Sequence, residues 1–441
     1  MTQLSFLAHG QLHEVLFDFL ETEDILDLRC IHSQCDAQVV QYAKKQLQDV
    51  VGQEVDPVLR VVVPKLEERI APAYTPQRTI DVALVALLVR CGEDIAEVLR
   101  QSIGHIVSLS PRLLNGESTI NASVAFEPLW RAVVKLVPTS CARLRLLDVS
   151  GTDSWLGDAA FKLLAAHCSQ LQFLDVSHTA GRITDESMKL VATNCAQLQS
   201  LNISWTKGNI TDESMKIVAA KCLRLQSLIV VGVRGCVTDE SMKLVAVNCS
   251  QLQSLDVSYS GGITDESVKA VAMNCLQLRS LNVSFAGKIT DASMKLVGTN
   301  CIQLQFLNVS NTKGSITDAS MKLVATHCSQ LEVLDVSNSQ GITDESIKLV
   351  AQNCLHLQSL NVGGTRGSIT DESMKVVATY CLQLQSVTVS WNTCGSITDE
   401  SMKVLAMNCL RLRYLDVRET GEKITNESLK LVVPTCRTLK N

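Results

Sequence analysis

Twelve cysteines recur about every 27 residues through the larger, C-terminal part of this chain, a regular spacing that is typical of repeat proteins. In a solenoid built from such repeats, each unit buries its apolar face only against its neighbours. We therefore expect a molecule that binds partners along an extended surface. The cysteines are Cys141, Cys168, Cys195, Cys222, Cys249, Cys275, Cys301, Cys328, Cys354, Cys381, Cys409 and Cys436.

Each repeat combines a short strand pattern with a helix pattern. The strand has the form L-x-x-L-x-V, as in Leu252, Leu255 and Val257. The helix follows an I-T-D-E-S segment and places four apolar residues on one face at i, i+3, i+4 and i+7, namely Met188, Val191, Ala192 and Cys195. The cysteine is therefore predicted to be a buried structural residue. Thr184 is predicted to cap its helix through its side chain.

Composition excludes several classes of protein. The chain has 441 residues, 4% aromatic residues and a formal charge of −5, whereas a dedicated nucleic-acid binder normally carries a basic domain. No apolar stretch approaches the ~18 residues that a bilayer requires, and the N-terminus lacks the pattern of a secretory signal. The absence of any C-x-x-C pair removes the usual zinc spacings. We expect reduced thiols, no cofactor or metal, and a cytoplasmic location, with the nucleus as an alternative.

The repeated phrase L-x-x-L-x-V…I-T-D-x-S…V-A-x-x-C resembles the cysteine-containing class of leucine-rich repeats over residues 141–441. This resemblance implies an α/β solenoid, a horseshoe of about 11 repeats with a parallel concave sheet and outer helices. Where that family usually has Cys or Asn, three residues after the Val, this chain mostly has a hydroxyl residue. A corner of buried hydroxyl groups is therefore expected at Thr152, Thr179, Thr206, Ser260, Thr312, Ser339, Thr365 and Thr420.

The segment 1–140 has no repeat and a mainly helical pattern, which predicts a small all-α domain: a module at 1–50, then a linker and solenoid cap at 51–140. Residues 12–40 resemble an F-box, with His9 and Gln11 replacing the usual Pro and Glu, and Cys35 replacing a Trp. The resemblance implies a Skp-family adaptor and a cullin as partners. An ordinary amphipathic cap is the alternative. The implied adaptor contacts are Leu16, Leu20, Asp24, Ile25, Leu28 and Ile31.

One outward column of the predicted sheet differs between repeats and contains four aromatic residues. Two neighbouring columns are nearly uniform, Asp or Asn and then Ser, and are interpreted as a solvated polar floor. In the varied column we expect an apolar patch that binds a protein substrate; the alternative is that the rings pack internally. The predicted site comprises His178, Trp205, Ile229, Val231, Tyr259 and Phe285, with a second cluster at Trp391 and Tyr414.

Charged residues form two further sets. Basic residues follow the strands and could flank an acidic or phosphorylated peptide, whereas each outer helix carries a lysine that we expect to pair with the Asp four residues earlier, as Lys189 with Asp185. The basic loop residues are Arg182, Lys207, Arg234, Lys288, Lys313, Arg366 and Lys423.

Enzyme motifs such as G-x-x-x-x-G-K-[ST] and H-E-x-x-H are absent, so catalysis by this chain is not expected. The first hypothesis is a substrate-recognition subunit of an SCF-type cullin–RING ubiquitin ligase. The alternatives are a non-catalytic scaffold subunit and a solenoid that activates small GTPases. Cys236 and Cys394, outside the repeat register, are the predicted reactive thiols.

Overall fold

The computed structural model describes residues 108–109, 145–150, 158–233, 235–392, 396–420, 423–432, 436 and 438–440. The F-box-like segment and most of the predicted cap therefore lie outside the described residues, and the boundaries at 50 and 140 stay predictions. The chain divides into two units, Met1–Ser200 and Leu201–Asn441.

The first unit contains parallel strands and two described helices. Strand β1 (Ser108–Leu109) pairs with β2 (Leu146–Asp148), and β2 pairs with β3 (Phe173–Asp175). Helix α1 (Asp158–His167) connects β2 to β3, and α2 (Asp185–Asn194) follows β3. Strand β1 lies within residues 51–140, where the helical pattern did not predict a strand.

The second unit repeats strand and helix in strict alternation. Strand β4 starts at the division, and strands β5 to β13 pair in parallel, each with the next one along the chain. The strands are β4 (Ser200–Asn202), β5 (Ser227–Ile229), β6 (Ser254–Asp256), β7 (Ser280–Asn282), β8 (Phe306–Asn308), β9 (Val333–Asp335), β10 (Ser359–Asn361), β11 (Ser386–Thr388), β12 (Tyr414–Asp416) and β13 (Thr438–Lys440). The helices are α3 (Asp212–Lys221), α4 (Asp239–Asn248), α5 (Asp265–Asn274), α6 (Asp291–Asn300), α7 (Asp318–His327), α8 (Asp344–Asn353), α9 (Asp371–Tyr380), α10 (Asp399–Asn408) and α11 (Asn426–Val432).

Threonine is the N-cap residue of the helices in the second unit. The Oγ1 atom of Thr211 accepts the N–H of Glu213 at 3.2 Å, and Thr238 and Thr264 cap α4 and α5 in the same way. The predicted side-chain cap at Thr184 is wrong: its hydroxyl accepts no N–H from the helix, although it donates to Asp158 of the preceding repeat at 2.9 Å. The described helices are all short, and none of them is suited to crossing a membrane.

The cysteine column is structural as predicted from Cys168 to Cys409, whereas Cys436 is only half-buried and Cys141 lies outside the described residues. From Cys168 to Cys409, each cysteine follows the end of a helix and is almost completely buried. The thiols point to carbonyls of the preceding repeat: the Sγ of Cys328 lies 3.4 Å from the carbonyl oxygen of Cys301, and that of Cys354 lies 3.4 Å from that of Cys328. Burial raises the pKa of the Cys328 and Cys354 thiols to about 12, so they stay protonated and can keep donating these bonds.

The aspartate that begins most of the described helices joins one repeat to the next. The carboxylate of Asp212 accepts the N–H of Thr238 at 2.9 Å, the Thr238 hydroxyl at 2.6 Å and the Ser241 hydroxyl at 2.5 Å. The predicted pairing of this aspartate with the lysine four residues later is therefore wrong as a general rule, although Lys162 and Asp158 do pair in α1. Instead, Lys216 reaches Glu240 on the next helix, and the same pairing repeats along the unit.

Candidate functional site

Most strands of the second unit end in a turn that a side chain of the strand stabilises. In the turn after β4, Oδ1 of Asn202 accepts the N–H of Ser204 at 3.0 Å, and the Thr206 hydroxyl donates to the carbonyl of Ile203 at 2.9 Å. The first contact is the local bond that Asn and Asp favour in turns. Ser204 is 5% exposed, and most of the equivalent serines are similarly buried, so the serine column is not the solvated floor that was predicted: these hydroxyls lie within the turns.

The residue after that serine has a positive φ in each described turn of the second unit. Trp205, Tyr259 and Phe285 have φ values of 57°, 55° and 57°. Left-handed backbone costs an ordinary residue about 1–2 kcal/mol and is cheap only for Gly, with Asn and Asp tolerated better than most. The chain does use those residues at the same position in other repeats: Gly232, Asn311, Asn338 and Gly364.

Backbone hydrogen bonds hold this column at the spacing of the strands. The N–H of Trp205 donates to the carbonyl of Val231 at 2.9 Å, that of Tyr259 to Ser284 at 3.1 Å, and that of Phe285 to Ser310 at 3.1 Å. The column therefore extends the parallel ladder beyond the strands. A rigid backbone places its side chains in a row.

Three aromatic rings in this column contact one another while remaining partly exposed. The Tyr259 and Phe285 rings stack with centroids 4.1 Å apart and planes 15° apart, and Trp205 lies 5.9 Å from Tyr259 at a tilt of 49°. Their residues are 41%, 46% and 45% exposed, in the order Trp205, Tyr259 and Phe285. We name these three rings the aromatic stack. They form an exposed patch, although part of their surface is used in packing on each other.

Gly232 allows the stack to cross a repeat that has no ring. A Cβ built on Gly232 would stand 2.6 Å from the Cε3 and Cζ3 atoms of Trp205, so the indole lies directly over this glycine. The indole thereby reaches Tyr259, two repeats away. Asn338 covers Gly364 in the same manner.

The aliphatic part of the predicted patch is only partly available. Ile229 was predicted to face outward, but it is 7% exposed and offers almost no surface. Ile229 occupies the sheet column that holds Asn202 and Asp256 in neighbouring repeats, and this position alone did not predict its burial. Val231 is half-buried and remains at the edge of the stack.

The second predicted cluster divides into two separate features. Trp391 is 61% exposed, and the described ring contacts do not join it to Tyr414. Tyr414 lies beside Lys440, whose Nζ is 5.4 Å from the ring centroid, and its hydroxyl faces Asp416. Arg418 binds Asp416 through two nitrogens, at 2.9 and 2.7 Å.

The remaining predicted residues are distributed as follows. His178 is exposed, has a φ of 55° and belongs to the first unit. The adaptor contacts predicted between Leu16 and Ile31 lie outside the described residues, as does Cys394. Cys236 is half-buried, and its Sγ would lie 2.8 Å from a Cβ built on Gly208.

Basic side chains lie in the loops beside the aromatic stack. Lys207, Lys288, Lys313 and Arg366 are exposed, and none of them has an ion pair among the described residues. Lys207, Lys313 and Arg366 also have positive φ values, each directly before a glycine. These loops therefore contribute positive charge that the described surface leaves unpaired.

A second row of exposed apolar side chains was not predicted from the sequence. It lies where the helices end and the next strands approach, on a different edge of the repeats from the aromatic stack. Its members in three consecutive repeats are Leu355, Tyr380, Leu382, Met407 and Leu410, each about half exposed or more. The sequence signal that could have predicted this row is the leucine directly after the repeat cysteine, because that leucine does not belong to the set of buried repeat positions. The described residues contain no cluster of potential metal ligands.

Comparison with known proteins agrees with this architecture. A family model described as Leucine Rich repeat matches residues 248–272, which is one repeat. A chain in the crystal structure of the Rad7 and Elc1 complex in yeast is similar with a TM-score of 0.58 and 17% identity, covering 80% of this chain and 88% of that one. An internalin (inlF) from Listeria monocytogenes gives a TM-score of 0.43 at 20% identity, covering 66% and 82%. No curated protein sequence matches the chain.

The predicted fold class is thereby confirmed: the chain is an α/β solenoid of the leucine-rich-repeat type. The internalin score is too low to add to this conclusion. Because its sequence identity is so low, the yeast structure establishes the fold alone.

Proposed function

We propose that the chain recognises a protein partner through the aromatic stack of Trp205, Tyr259 and Phe285. The observation that carries this proposal is the occupation of left-handed backbone positions by half-exposed rings. Gly and Asn fill the same position elsewhere in the chain and would serve the fold at a lower conformational cost. Strained residues at a surface support a functional role, and Trp and Tyr are the residues most often found in binding hot spots.

The finer proposal is that the chain is the substrate-recognition subunit of an SCF-type ubiquitin ligase. Two features support it: the F-box resemblance of residues 12–40, and the presence of a chain of similar fold in the Rad7 and Elc1 complex. In this role the chain would supply no catalytic residue. It would bind the adaptor through its N-terminus and hold a substrate on the stack, so that proximity accelerates ubiquitin transfer.

Co-expression with a Skp-family adaptor tests the finer proposal. The full chain is expected to elute with the adaptor as a stoichiometric complex in size exclusion, and the double substitution Leu20→Glu/Ile25→Glu is expected to abolish the complex. Gln34→Ala in the same segment is the control and is expected to leave it intact. If a well-folded full chain forms no complex, the N-terminus is a cap and the scaffold alternative is favoured.

A further inference from the structure

We infer that the partner segment is an extended acidic stretch with apolar anchors, in which the anchors lie on the aromatic stack and the acidic side chains lie against Lys288, Lys313 and Arg366. This inference rests on the proposed function of the same surface. It specifies the charge and the extended conformation of the partner segment, which the aromatic stack alone does not predict.

The first support is the one-sided charge of the loops. Each loop is counted from the residue after the strand's final valine to the isoleucine or valine that precedes the helix cap. The seven loops from 204–210 to 363–369 contain five basic residues and no Asp or Glu. A surface with only one sign of charge attracts a partner of the opposite sign and rejects partners of the same sign.

The second support is the engagement of acidic groups at the starts of the helices that follow these loops. Asp291 accepts the Thr317 N–H and hydroxyl, at 2.9 and 2.5 Å, and also the Ser320 hydroxyl, while Glu345 pairs with Lys322 on the outer face. These carboxylates are committed to neighbouring repeats. They are not partners of the loop cations.

The third support is the composition of the repeats that carry Lys288 and Lys313. Helices α6 and α7 begin with Asp-Ala-Ser, whereas the other helices of the second unit have Glu directly after their first residue. The substituted positions are Ala292 and Ala319, in the same repeats as Lys288 and Lys313. The helix starts of these two repeats therefore carry one acidic group fewer than those of α3 to α5 and α8 to α10.

The order of the column gives the segment a direction. Rings occupy three of the four positions from Trp205 to Phe285, and the next three positions are Asn311, Asn338 and Gly364, which are polar or small. Six strand spacings of ~4.8 Å separate Trp205 from Gly364, or about 29 Å, which an extended chain covers in roughly nine residues. Apolar anchors therefore belong at one end of the segment and acidic residues at the other.

Peptide display on phage tests this inference without a known partner. A random library of twelve-residue peptides is selected against the full chain, and each enriched peptide is then measured against three variants. The first removes the stack (Trp205→Asn/Tyr259→Asn/Phe285→Asn). The second reverses the loop charge (Lys288→Glu/Lys313→Glu/Arg366→Glu). The third is a charge-matched control on the helices (Lys295→Glu/Lys403→Glu/Lys430→Glu), where all three lysines are exposed.

We expect enriched peptides that carry Asp or Glu to one side of apolar residues. The stack variant should bind them at least ~30-fold more weakly, the loss typical of a hot-spot cluster. The loop-charge variant should bind them about 10-fold more weakly, while the helix control should bind them unchanged. Stack-dependent peptides without an acidic excess, or with equal affinity for the loop-charge variant, would overturn the inference alone. Peptides that bind the stack variant as tightly as the parent chain would overturn the proposed function as well.

Discussion

At the scale of single residues, the contact between Trp205 and Gly232 determines whether the indole can reach Tyr259. Gly232→Ala should lower the free energy of unfolding by about 1–2 kcal/mol, because the new Cβ meets the Trp205 indole and the residue sits at a φ of +65°. Urea denaturation measures this change. Gly287→Ala is the control, since its Cβ would enter open space and its φ is not in the left-handed region. Equal effects of the two substitutions would show that the indole does not lie over Gly232.

Burial of single residues was more predictable from the repeats than their backbone conformation. The column cysteines from Cys168 to Cys409 and the corner hydroxyls from Thr179 to Thr420 are buried where their spacing indicated, because a regular period leaves each position in one environment. The positive φ of Trp205, Tyr259 and Phe285 was not predicted, because aromatic residues rarely adopt it. The signal that could have revealed it was the Gly and Asn at the same position in other repeats.

At the scale of helices and strands, the contacts between repeats were the least predictable part. A single repeat shows Asp and Lys four residues apart, which is a favourable helix pair in isolation. In the solenoid, the hydroxyls of Thr238 and Ser241 compete for Asp212 and satisfy it, so that Lys216 pairs with the next helix. Sequence patterns within one repeat cannot show which partner the neighbouring repeat supplies.

Gly298 gives a prediction at the scale of helix packing. Gly298→Ala should destabilise the protein, although alanine inside a helix is usually favoured over glycine by about 1 kcal/mol. A Cβ at Gly298 would lie 2.7 Å from the backbone nitrogen of Val324, so α6 and α7 would have to move apart. Thermal unfolding measures the effect, with Thr299→Ala on the exposed face of the same helix as the control. A higher melting temperature for Gly298→Ala would contradict this close packing of the two helices.

At the scale of the whole molecule, the hydrogen bonds from each repeat to the aspartate of the preceding helix make the free energy of unfolding depend on pH. Burial raises the pKa of carboxylates such as Asp239 and Asp265, but hydrogen bonds from Ser and Thr of the next repeat together lower it by more than burial raises it. The pKa of these carboxylates therefore lies below the ordinary 3.8. A depressed pKa in the folded state means that the stabilisation is fully present above the unfolded pKa, near 4, and is lost as the pH falls through the folded value.

Urea denaturation at pH 7, 5, 4 and 3 tests this dependence. The free energy of unfolding should change little between pH 7 and 5 through these groups and fall below pH 4. Asp239→Asn should be less stable than the parent at pH 7 but lose less stability on acidification. Glu213→Gln, which alters an exposed carboxylate next to α3's first residue, is the control. A variant as acid-sensitive as the parent would show that this carboxylate is not linked to folding.

The architecture of the solenoid was predictable because the same strand and helix pattern recurs in each repeat, whereas the binding site depends on the positions at which the repeats differ. The sequence identified Trp205, Tyr259 and Phe285 as divergent positions, and the structure brings their rings together. The prediction failed at Ile229, which is 7% exposed. The row from Leu355 to Leu410 was missed because its exposure follows from how helix ends meet strands.

Whether the aromatic stack serves a partner or the fold is decided by the free energy of unfolding of Trp205→Asn/Tyr259→Asn/Phe285→Asn. If the rings serve a partner, the triple substitution loses about 0.5–1.5 kcal/mol of stability for each stacked ring pair and a further amount from partial burial. Relief of the left-handed backbone strain largely offsets this loss. We then expect a net change within about 2 kcal/mol. Core aromatic residues cost about 3–5 kcal/mol each when truncated, so a loss approaching 10 kcal/mol would show that the stack belongs to the fold and would contradict the binding role.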